Sequence, residues 1–412
     1  MNADPVRVWY VRAAGSALGE TVAWTVAPVY FVTQVHMSPL QLVLVGTCME
    51  LAIFVFEVPT GIVADLVSRR LSVVVGHLVM GAAIVFSAAI AEPWAVMTAW
   101  ALWGFGYTFT SGAADAWLAD EIGVENVQPV YLRAAQIGRA VALVAIGASV
   151  ALALVSLRLP IVVGGCVVLA LGIALAVTMP ETGFRPVAHE TAGDAARAFL
   201  ATGAAGARLV RTTPVLLLIV SITFFWGAWT EAYDRLGEAH LIRDVGLPGF
   251  AGFSFVVWFG VIGTASLLLT LLVARPANRR LEHADRNTVT RVLLLSNALL
   301  IGTVVAFALA GVFWLALVAM LATNAVRSLV LPLYTSWLNQ SIADSSVRAT
   351  VMSIASQADA LGEWAGGPVM GVVGNVFGIR AALAAGASLL APALALYGRA
   401  LRRETIPAAA VT

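Results

Sequence analysis

Four carboxylates stand inside or at the end of long apolar stretches of this chain, and they are the residues best suited to chemistry. They are Glu20, Asp115, Asp359 and Glu363. A charged group far from water is costly, so each is a functional candidate until a partner explains it. A carboxyl group in such a setting can bind and release a proton near neutral pH. We therefore predict that these four residues exchange protons.

Three arginines support a competing interpretation, in which the carboxylates only form ion pairs. Arg133 and Arg139 stand at the start of the apolar stretch that follows Asp115 and could neutralise it. Arg327 lies within a later stretch and could do the same for the last two carboxylates, which are four residues apart and so share a helix face. For Glu20 a functional and a structural role are equally open.

The composition excludes several other kinds of chemistry. All 24 basic residues are arginine, so a Walker A phosphate loop and Schiff-base catalysis, which need lysine, are ruled out. The five histidines and two cysteines show no metal-ligand spacing. A net charge of +1 gives no basic surface for nucleic acid. We expect no enzymatic activity, no cofactor, no metal and no nucleic-acid partner.

The rest of the chain has the composition of a multi-pass membrane protein. Hydrophobic residues make up 60% of the 412 residues and charged residues 11%, against about 25% charged residues in an average soluble protein. A bilayer core needs about 20 mostly apolar residues per helix. Twelve such runs lie near residues 8–33, 40–64, 71–91, 94–118, 130–156, 160–179, 213–236, 249–274, 289–310, 313–338, 348–375 and 379–400.

Charge placement and an internal repeat predict how these spans are arranged. The polar stretch 180–212 separates six spans from six, so we expect bundles at 1–179 and 213–412 joined by a cytoplasmic linker. A Trp-Thr pair at Trp24 recurs at Trp229, as expected of a duplicated six-span unit. Most arginines, Arg12 among them, fall in loops on one side, which places both termini in the cytoplasm. The prediction is an all-α protein of the inner membrane, with twelve transmembrane helices in two pseudo-symmetric six-helix bundles.

The loop after the second span carries a motif that points to a family. Gly61, Asp65, Arg69 and Arg70 resemble, in type and spacing, the signature between helices two and three of the major facilitator superfamily. This resemblance implies transport by alternating access, gated in part by these residues. Gly61 would permit a close helix approach, and Asp65 could pair with an arginine. Alternatively, the two arginines serve only as topology determinants.

Three further patches resemble bacterial drug:proton antiporters of the tetracycline and macrolide efflux type. They are Phe56–Gly61, Ser111–Trp117 and Glu231–Leu236. The fourth span lacks the Arg-x-x-Gln-Gly pattern of this subfamily, and the fifth lacks its Gly-Pro-x-x-Gly-Gly pattern. The resemblance implies proton-coupled efflux of small molecules across the lipid bilayer. We expect the transporter to be monomeric.

Charged residues near the ends of two spans are predicted to form gates. Glu57 is expected to join the network around Asp65. Glu231 and Asp234 lie near the outer end of span seven, where Arg235 could neutralise one of them. This arrangement predicts an extracellular gate.

Aromatic residues concentrate in spans four and seven and suggest a substrate class. Trp24, Tyr107 and Trp229 are predicted to line a cavity, because aromatic rings stack on flat apolar ligands and hold cations. The alternative is that these rings face lipid. The expected substrate is an amphipathic, drug-like small molecule. Export of an endogenous lipid, peptide or metabolite, and uniport or import of a nutrient, are the alternatives.

Overall fold

A computed structural model describes residues 3–185, 201, 204, 208, 210–249, 254–281, 284–341 and 345–402. Most of the predicted linker 180–212 lies outside the described residues, and so do the side chains of 215, 274–283, 341–350, 353 and 402. The described part is helical and contains no strand. Its α-helices are α1 (Pro5–Trp24), α2 (Ala27–Thr33), α3 (Pro39–Leu66), α4 (Arg69–Ala89), α5 (Pro93–Thr110), α6 (Ala113–Ile122), α7 (Val127–Ala153), α8 (Arg158–Thr178), α9 (Pro214–His240), α10 (Val256–Leu281), α11 (Arg286–Leu309), α12 (Phe313–Ser341), α13 (Ser345–Phe377), α14 (Ile379–Ser388) and α15 (Ala391–Arg402).

Among the described residues, nine helical segments are long and apolar enough to cross a membrane. They correspond to predicted spans two, three, five to ten, and twelve. Spans one and eleven contain α1 and α13, which carry embedded charges. Span four contains α5, which is rich in tryptophan, glycine and threonine. These residues lower the hydropathy of all three helices, so the total of twelve spans remains a prediction.

Three predicted spans are broken rather than continuous. The span predicted at 8–33 divides into α1 and α2, because Pro28 has no N–H group to continue the hydrogen bonds of α1. Span four breaks between α5 and α6 at Gly112, whose φ of +67° favours glycine. Span twelve divides into α14 and α15, and Pro392 occupies the second position of α15.

The chain forms two compact units. The N-terminal unit comprises Met1–Ala198 with Gly249–Thr264, and the C-terminal unit comprises Phe199–Pro248 with Ala265–Thr412. The bundle boundaries predicted from the polar linker stay a prediction.

Small residues bring helices close together in the N-terminal unit. There α1 packs against α7 and α8, and α4 packs against α5 and α8. A Cβ atom on Gly164 of α8 would lie 2.4 Å from the backbone oxygen of Gly19 in α1. Only glycine fits at this crossing, which fixes the position of the adjacent Glu20.

In the C-terminal unit, the corresponding close contact joins α9 and α13. A Cβ atom on Gly362 of α13 would lie 2.0 Å from the backbone oxygen of Phe224 in α9. A Cβ atom on Gly227 of α9 would lie 2.1 Å from the backbone oxygen of Asp359. The glycine-rich sequence of span eleven therefore serves close packing, and it holds Asp359 against α9.

Candidate functional site

Arg69 bridges the ends of two helices in the N-terminal unit. Its guanidinium group forms an ion pair with Asp120 in α6 and donates to the backbone oxygen of Ala116 at 3.0 Å. The Asp65 carboxylate lies 3.6 Å from the same group, and the Phe184 ring lies 5.8 Å away. The aspartate and the first arginine of the motif thus interact with each other and with the end of span four.

Arg70 meets the start of the predicted linker at the same place. Glu181 accepts a hydrogen bond from the Ser68 hydroxyl at 2.7 Å and from the Arg70 backbone N–H at 2.9 Å, so it caps the N-terminus of α4. The Arg70 guanidinium donates to the backbone oxygen of Ala176. Glu181 was not among the predicted site residues, although its position directly after span six was a usable signal.

Glu57 and Gly61 lie apart from the Arg69 bridge. The Ser111 hydroxyl, at the break between α5 and α6, donates to Glu57 Oε1 at 2.8 Å. The other oxygen of Glu57 is buried without a hydrogen-bond partner. Among the described residues, no atom lies within 4 Å of a Cβ atom built on Gly61. In this structure Gly61 therefore does not make the close helix approach that the motif suggested, and Glu57 contacts the break in span four.

Arg12 of α1 interacts electrostatically with embedded carboxylates of the N-terminal unit. Its charge acts on both Asp115 and Glu20, and its guanidinium carbon lies 4.9 Å from the Trp9 ring centroid. Tyr131 of α7 also interacts electrostatically with Asp115. Sequence reasoning treated Arg12 only as a topology residue. Its spacing of eight residues from Glu20, close to two helical turns, was the signal for a shared face.

Arg133 and Arg139 lie elsewhere on α7. Both side chains are exposed, and Arg133 donates to Gln136 at 3.4 Å. Within residues 3–185, neither forms an ion pair with Asp115. The arginine whose charge acts on Asp115 is instead Arg12 of α1.

Aromatic rings of the N-terminal unit form a cluster around a crevice. The ring centroid of Trp24 lies 5.5 Å from that of Trp100 and 5.0 Å from that of Trp103, and Trp24 lines a narrow crevice of about 10 Å³. Tyr107 stacks on Trp103 at 5.5 Å and is 40% exposed. Trp229, the third predicted lining residue, is fully buried in the C-terminal unit.

Two ion pairs form near the end of α9 in the C-terminal unit. Arg327 of α12 binds Asp234 through both terminal nitrogens, one of them at 2.9 Å. Arg235 Nε donates to Glu231 Oε1 at 3.1 Å. The Arg327 guanidinium carbon also lies 5.3 Å from the Trp229 ring centroid. All three residues predicted as an extracellular gate are therefore in ion pairs.

Asp359 and Glu363 lie one turn apart on α13 and differ in their surroundings. The charge of Glu363 acts on both Arg235 and Arg327. The charge of Arg327 also acts on Asp359, but Asp234 takes both terminal nitrogens of that arginine. Asp359 Oδ1 is buried without a hydrogen-bond partner. Arg327 thus forms its ion pair with Asp234 of α9, and not with Asp359 as the sequence had suggested.

A cavity of about 220 Å³ lies beside Asp359 within the C-terminal unit. This volume is below the roughly 300–1,000 Å³ of typical small-molecule sites. The walls come from α9, α12, α13 and α15 and include the rings of Trp226, Tyr334 and Tyr397. Sequence reasoning selected Trp229 from α9, whereas the residue that lines the cavity is Trp226, about one turn earlier. Hydropathy alone does not distinguish the face of α9 that carries Trp226 from the face that carries Trp229.

His240 is a buried polar residue that sequence reasoning did not single out. Its side chain is 0% exposed, its Nδ1 lies 2.9 Å from an Asp244 carboxylate oxygen, and its Nε2 lies 3.0 Å from the backbone oxygen of Phe307. Arg380 donates to the backbone oxygen of Asp244 at 3.1 Å. These bonds attach the π-helical turn Leu241–Val245 to α11 and α14.

Comparison with known proteins identifies the family. The family model of the Major Facilitator Superfamily matches residues 13–290, more than half of the chain. The chain belongs to the major facilitator superfamily and is a multi-pass membrane transporter.

Individual relatives are distant. The "Uncharacterized MFS-type transporter YxaM" of Bacillus subtilis (strain 168) is 24% identical over 362 residues, which cover 87% of this chain and 86% of that protein. The crystal structure of the nucleoside transporter NupG superposes with a TM-score of 0.77 at 15% identity, covering 98% of this chain and 100% of that chain. A D-xylose-proton symporter superposes with a TM-score of 0.68 at 14% identity, covering 95% of this chain and 96% of that chain. At these identities the structural likeness establishes the fold.

Proposed function

We propose that this transporter is a proton-coupled exporter of amphipathic small molecules that works by alternating access. The observation that carries the proposal is Asp359, a carboxylate with one unpartnered oxygen on the wall of a cavity of about 220 Å³ that is partly lined by aromatic rings. A buried carboxylate without a donor costs free energy unless it is protonated or paired. A cavity that contains such a group can couple the binding of a proton to the binding of a ligand.

The other embedded carboxylates are weaker candidates for the proton site. The charge of Arg12 acts on Glu20 and Asp115, which favours a structural role for these two. Glu363 faces two arginines of the C-terminal unit. Asp359 is the main proton site in this proposal because it lines a cavity and has a buried oxygen without a hydrogen-bond partner.

Charge pairs at two places supply the proposed gates. The bridge of Arg69 to Asp65 and Asp120 is the cytoplasmic gate. The two ion pairs near the end of α9, with Arg235 and Arg327 as their cations, form the extracellular gate. Alternating access would require these pairs to break and reform, as ion pairs do in other conformational transitions. In this proposal the protein is a monomer in the inner membrane with both termini in the cytoplasm.

Proton movement in inverted membrane vesicles tests the proposal. When the vesicle interior is acidic, an exported substrate added outside should enter in exchange for protons and collapse the pH gradient. Asp359→Asn should abolish this collapse. Glu92→Gln is the matched control, because Glu92 is exposed and its side chain caps no helix. A collapse as large in Asp359→Asn as in the wild type would contradict the proposal.

Import of a nutrient is the second candidate, and the shared fold of a nucleoside transporter and a D-xylose-proton symporter favours it. The same vesicles distinguish the two directions. A proton symporter would carry protons inward with the added substrate and would deepen the acid gradient. The apolar and aromatic cavity walls favour export of an amphipathic compound over import of a sugar-like one. Among exported compounds, an endogenous lipid, peptide or metabolite remains an alternative to a drug.

A further inference from the structure

We propose that His240 and Asp244 form a proton-operated latch at the end of α9, and that loss of one proton from this pair loosens the turn Leu241–Val245. The latch is separate from the proton that the proposed exchange assigns to Asp359. Only its side of the membrane is taken from the proposed function, which places this end of α9 on the extracellular side.

Both ring nitrogens of His240 face oxygen atoms that accept hydrogen bonds. Nε2 lies 3.0 Å from the backbone oxygen of Phe307, and Nδ1 lies 2.9 Å from Oδ2 of Asp244. A neutral imidazole ring carries one N–H group, whereas a carbonyl oxygen and an ionised carboxylate each need a donor. With a neutral ring and an ionised carboxylate, two lone pairs would meet at one of these contacts. Both contacts are therefore satisfied only when the pair holds one additional proton, on the ring or on the carboxylate.

His77 in α4 is similarly buried and needs no additional proton. Its Nδ1 lies 2.7 Å from the backbone oxygen of Val73, and its Nε2 lies 3.3 Å from the Ser16 hydroxyl, which can donate. One N–H group on a neutral ring satisfies both contacts. The requirement for a further proton at His240 therefore comes from the carboxylate of Asp244 and not from burial of the ring.

Burial makes loss of this proton costly but leaves the proton a route to water. The His240 ring is fully buried and packs edge-on against the Phe307 ring, with 5.0 Å between centroids. The Asp244 side chain is 28% exposed, so the proton can leave through it. Afterwards the ring can donate to only one of its two partners, and the contact with the other must open because an unpaired buried acceptor is costly.

The contact that opens helps to attach the turn to the rest of the C-terminal unit. On its other side the turn is held by Arg380 of α14, which donates to the backbone oxygens of Asp244 at 3.1 Å and Ala310 at 3.4 Å. The same helix, α9, carries Arg235 of the proposed extracellular gate. A protonated pair therefore fixes the end of the helix that carries this gate, and deprotonation loosens it.

The other charged groups around the pair come from α9, the turn and α14. From α11 the pair meets the uncharged Phe307, and α12 has no charged residue before Arg327, which binds Asp234. Arg243 and Arg380 keep their charge at all pH values of interest. The charged residues nearest the pair are Glu238 on α9, Arg243 on the turn and Arg380 on α14. Glu238 is thus the titratable group for which a test must control.

Hydrogen exchange of the purified protein in detergent tests the latch without any transport measurement. Mass spectrometry of a peptide that covers the turn reports how well its backbone N–H groups are protected. After correction for intrinsic exchange rates, this protection should fall by about tenfold or more as the pH is raised from about 5 to about 9, because a hydrogen bond to a charged group is lost. A peptide from α4 that contains His77 should show no such fall.

Two variants assign the effect to the pair. The amide of Asp244→Asn can donate to Nδ1 of a neutral His240 ring, so the turn should stay protected without pH dependence. Glu238→Gln is the matched control and should keep the pH dependence of the wild type. Protection that still falls with pH in Asp244→Asn would overturn the latch, and so would loss of the pH dependence in Glu238→Gln.

The wild-type profile covers the case in which a variant does not fold. Equal protection of the turn at all pH values would overturn the inference. A pH-dependent turn in a protein that shows no proton-coupled export would contradict the proposed function and leave the latch standing. Proton-coupled export with a pH-independent turn would do the reverse.

Discussion

Replacing Gly362 by alanine should push α9 and α13 apart at the wall that carries Asp359. The new Cβ atom would lie 2.0 Å from the backbone oxygen of Phe224, and real Cβ contacts essentially never fall below 3.0 Å, so the backbones must separate by roughly 1 Å. Overpacking of this kind costs about 1–3 kcal/mol, whereas the better helix propensity of alanine returns up to about 1 kcal/mol. We expect a net loss in the free energy of unfolding of about 1–2 kcal/mol.

Gly302→Ala is the matched control for this substitution. Gly302 is exposed on α11, and no atom of the described residues lies within 4 Å of its added Cβ atom. The control should leave stability unchanged or raise it by up to about 1 kcal/mol. Thermal unfolding of both variants in detergent, followed by tryptophan fluorescence, should show a midpoint lower by a few degrees for Gly362→Ala alone, at about 2–4 °C per kcal/mol. A Gly362→Ala midpoint equal to the wild type, or an equal fall in both variants, would refute the packing argument.

Three further substitutions test separate parts of the structure. Arg69→Lys keeps the positive charge that sets the topology but loses the planar guanidinium group that reaches Asp120. Transport in vesicles should therefore fall about tenfold, while membrane insertion stays normal. Transport at the wild-type rate would favour a role in topology alone. His240→Ala removes the donor to the backbone oxygen of Phe307, so thermal unfolding should show a loss of about 1–3 kcal/mol, and an unchanged midpoint would contradict it. Hydrogen bonds from the first turn of α11 lower the pKa of Asp285. The ionised carboxylate therefore stabilises the folded state only when the pH is above this lowered pKa. The destabilisation by Asp285→Ala should therefore be present at neutral pH and vanish as the pH falls through the folded-state pKa; a pH-independent difference in midpoint would speak against it.

Helix positions could be predicted from the sequence because hydropathy reports depth along a span. The span predicted at 40–64, for example, is the helix Pro39–Leu66. The breaks were missed although their causes are visible in the sequence, since Pro28 and Gly112 both stand inside predicted spans. Hydropathy averages over about twenty residues, so it does not register one missing N–H group or one positive φ.

The partners of embedded charges could not be predicted in the same way. Arg327 was expected to neutralise Asp359 or its neighbour, but it binds Asp234 on another helix. Arg12 was assigned to the topology signal, yet its charge acts on Asp115. Pairing depends on which helices pack together and on how each is rotated about its axis. A single sequence shows how deep a charged residue lies in a span much better than it shows which neighbouring helix the side chain faces.

The measurement that tests the central claim most directly is proton flux in proteoliposomes that contain the purified protein and a pH-sensitive dye. An imposed gradient of tetraphenylphosphonium, a permanent amphipathic cation, should drive protons in the opposite direction through the wild-type protein. The same gradient should drive no protons through Asp359→Asn, whereas Glu92→Gln should behave as the wild type. Proton flux through Asp359→Asn at the wild-type rate would contradict the assignment of the exchanged proton to Asp359.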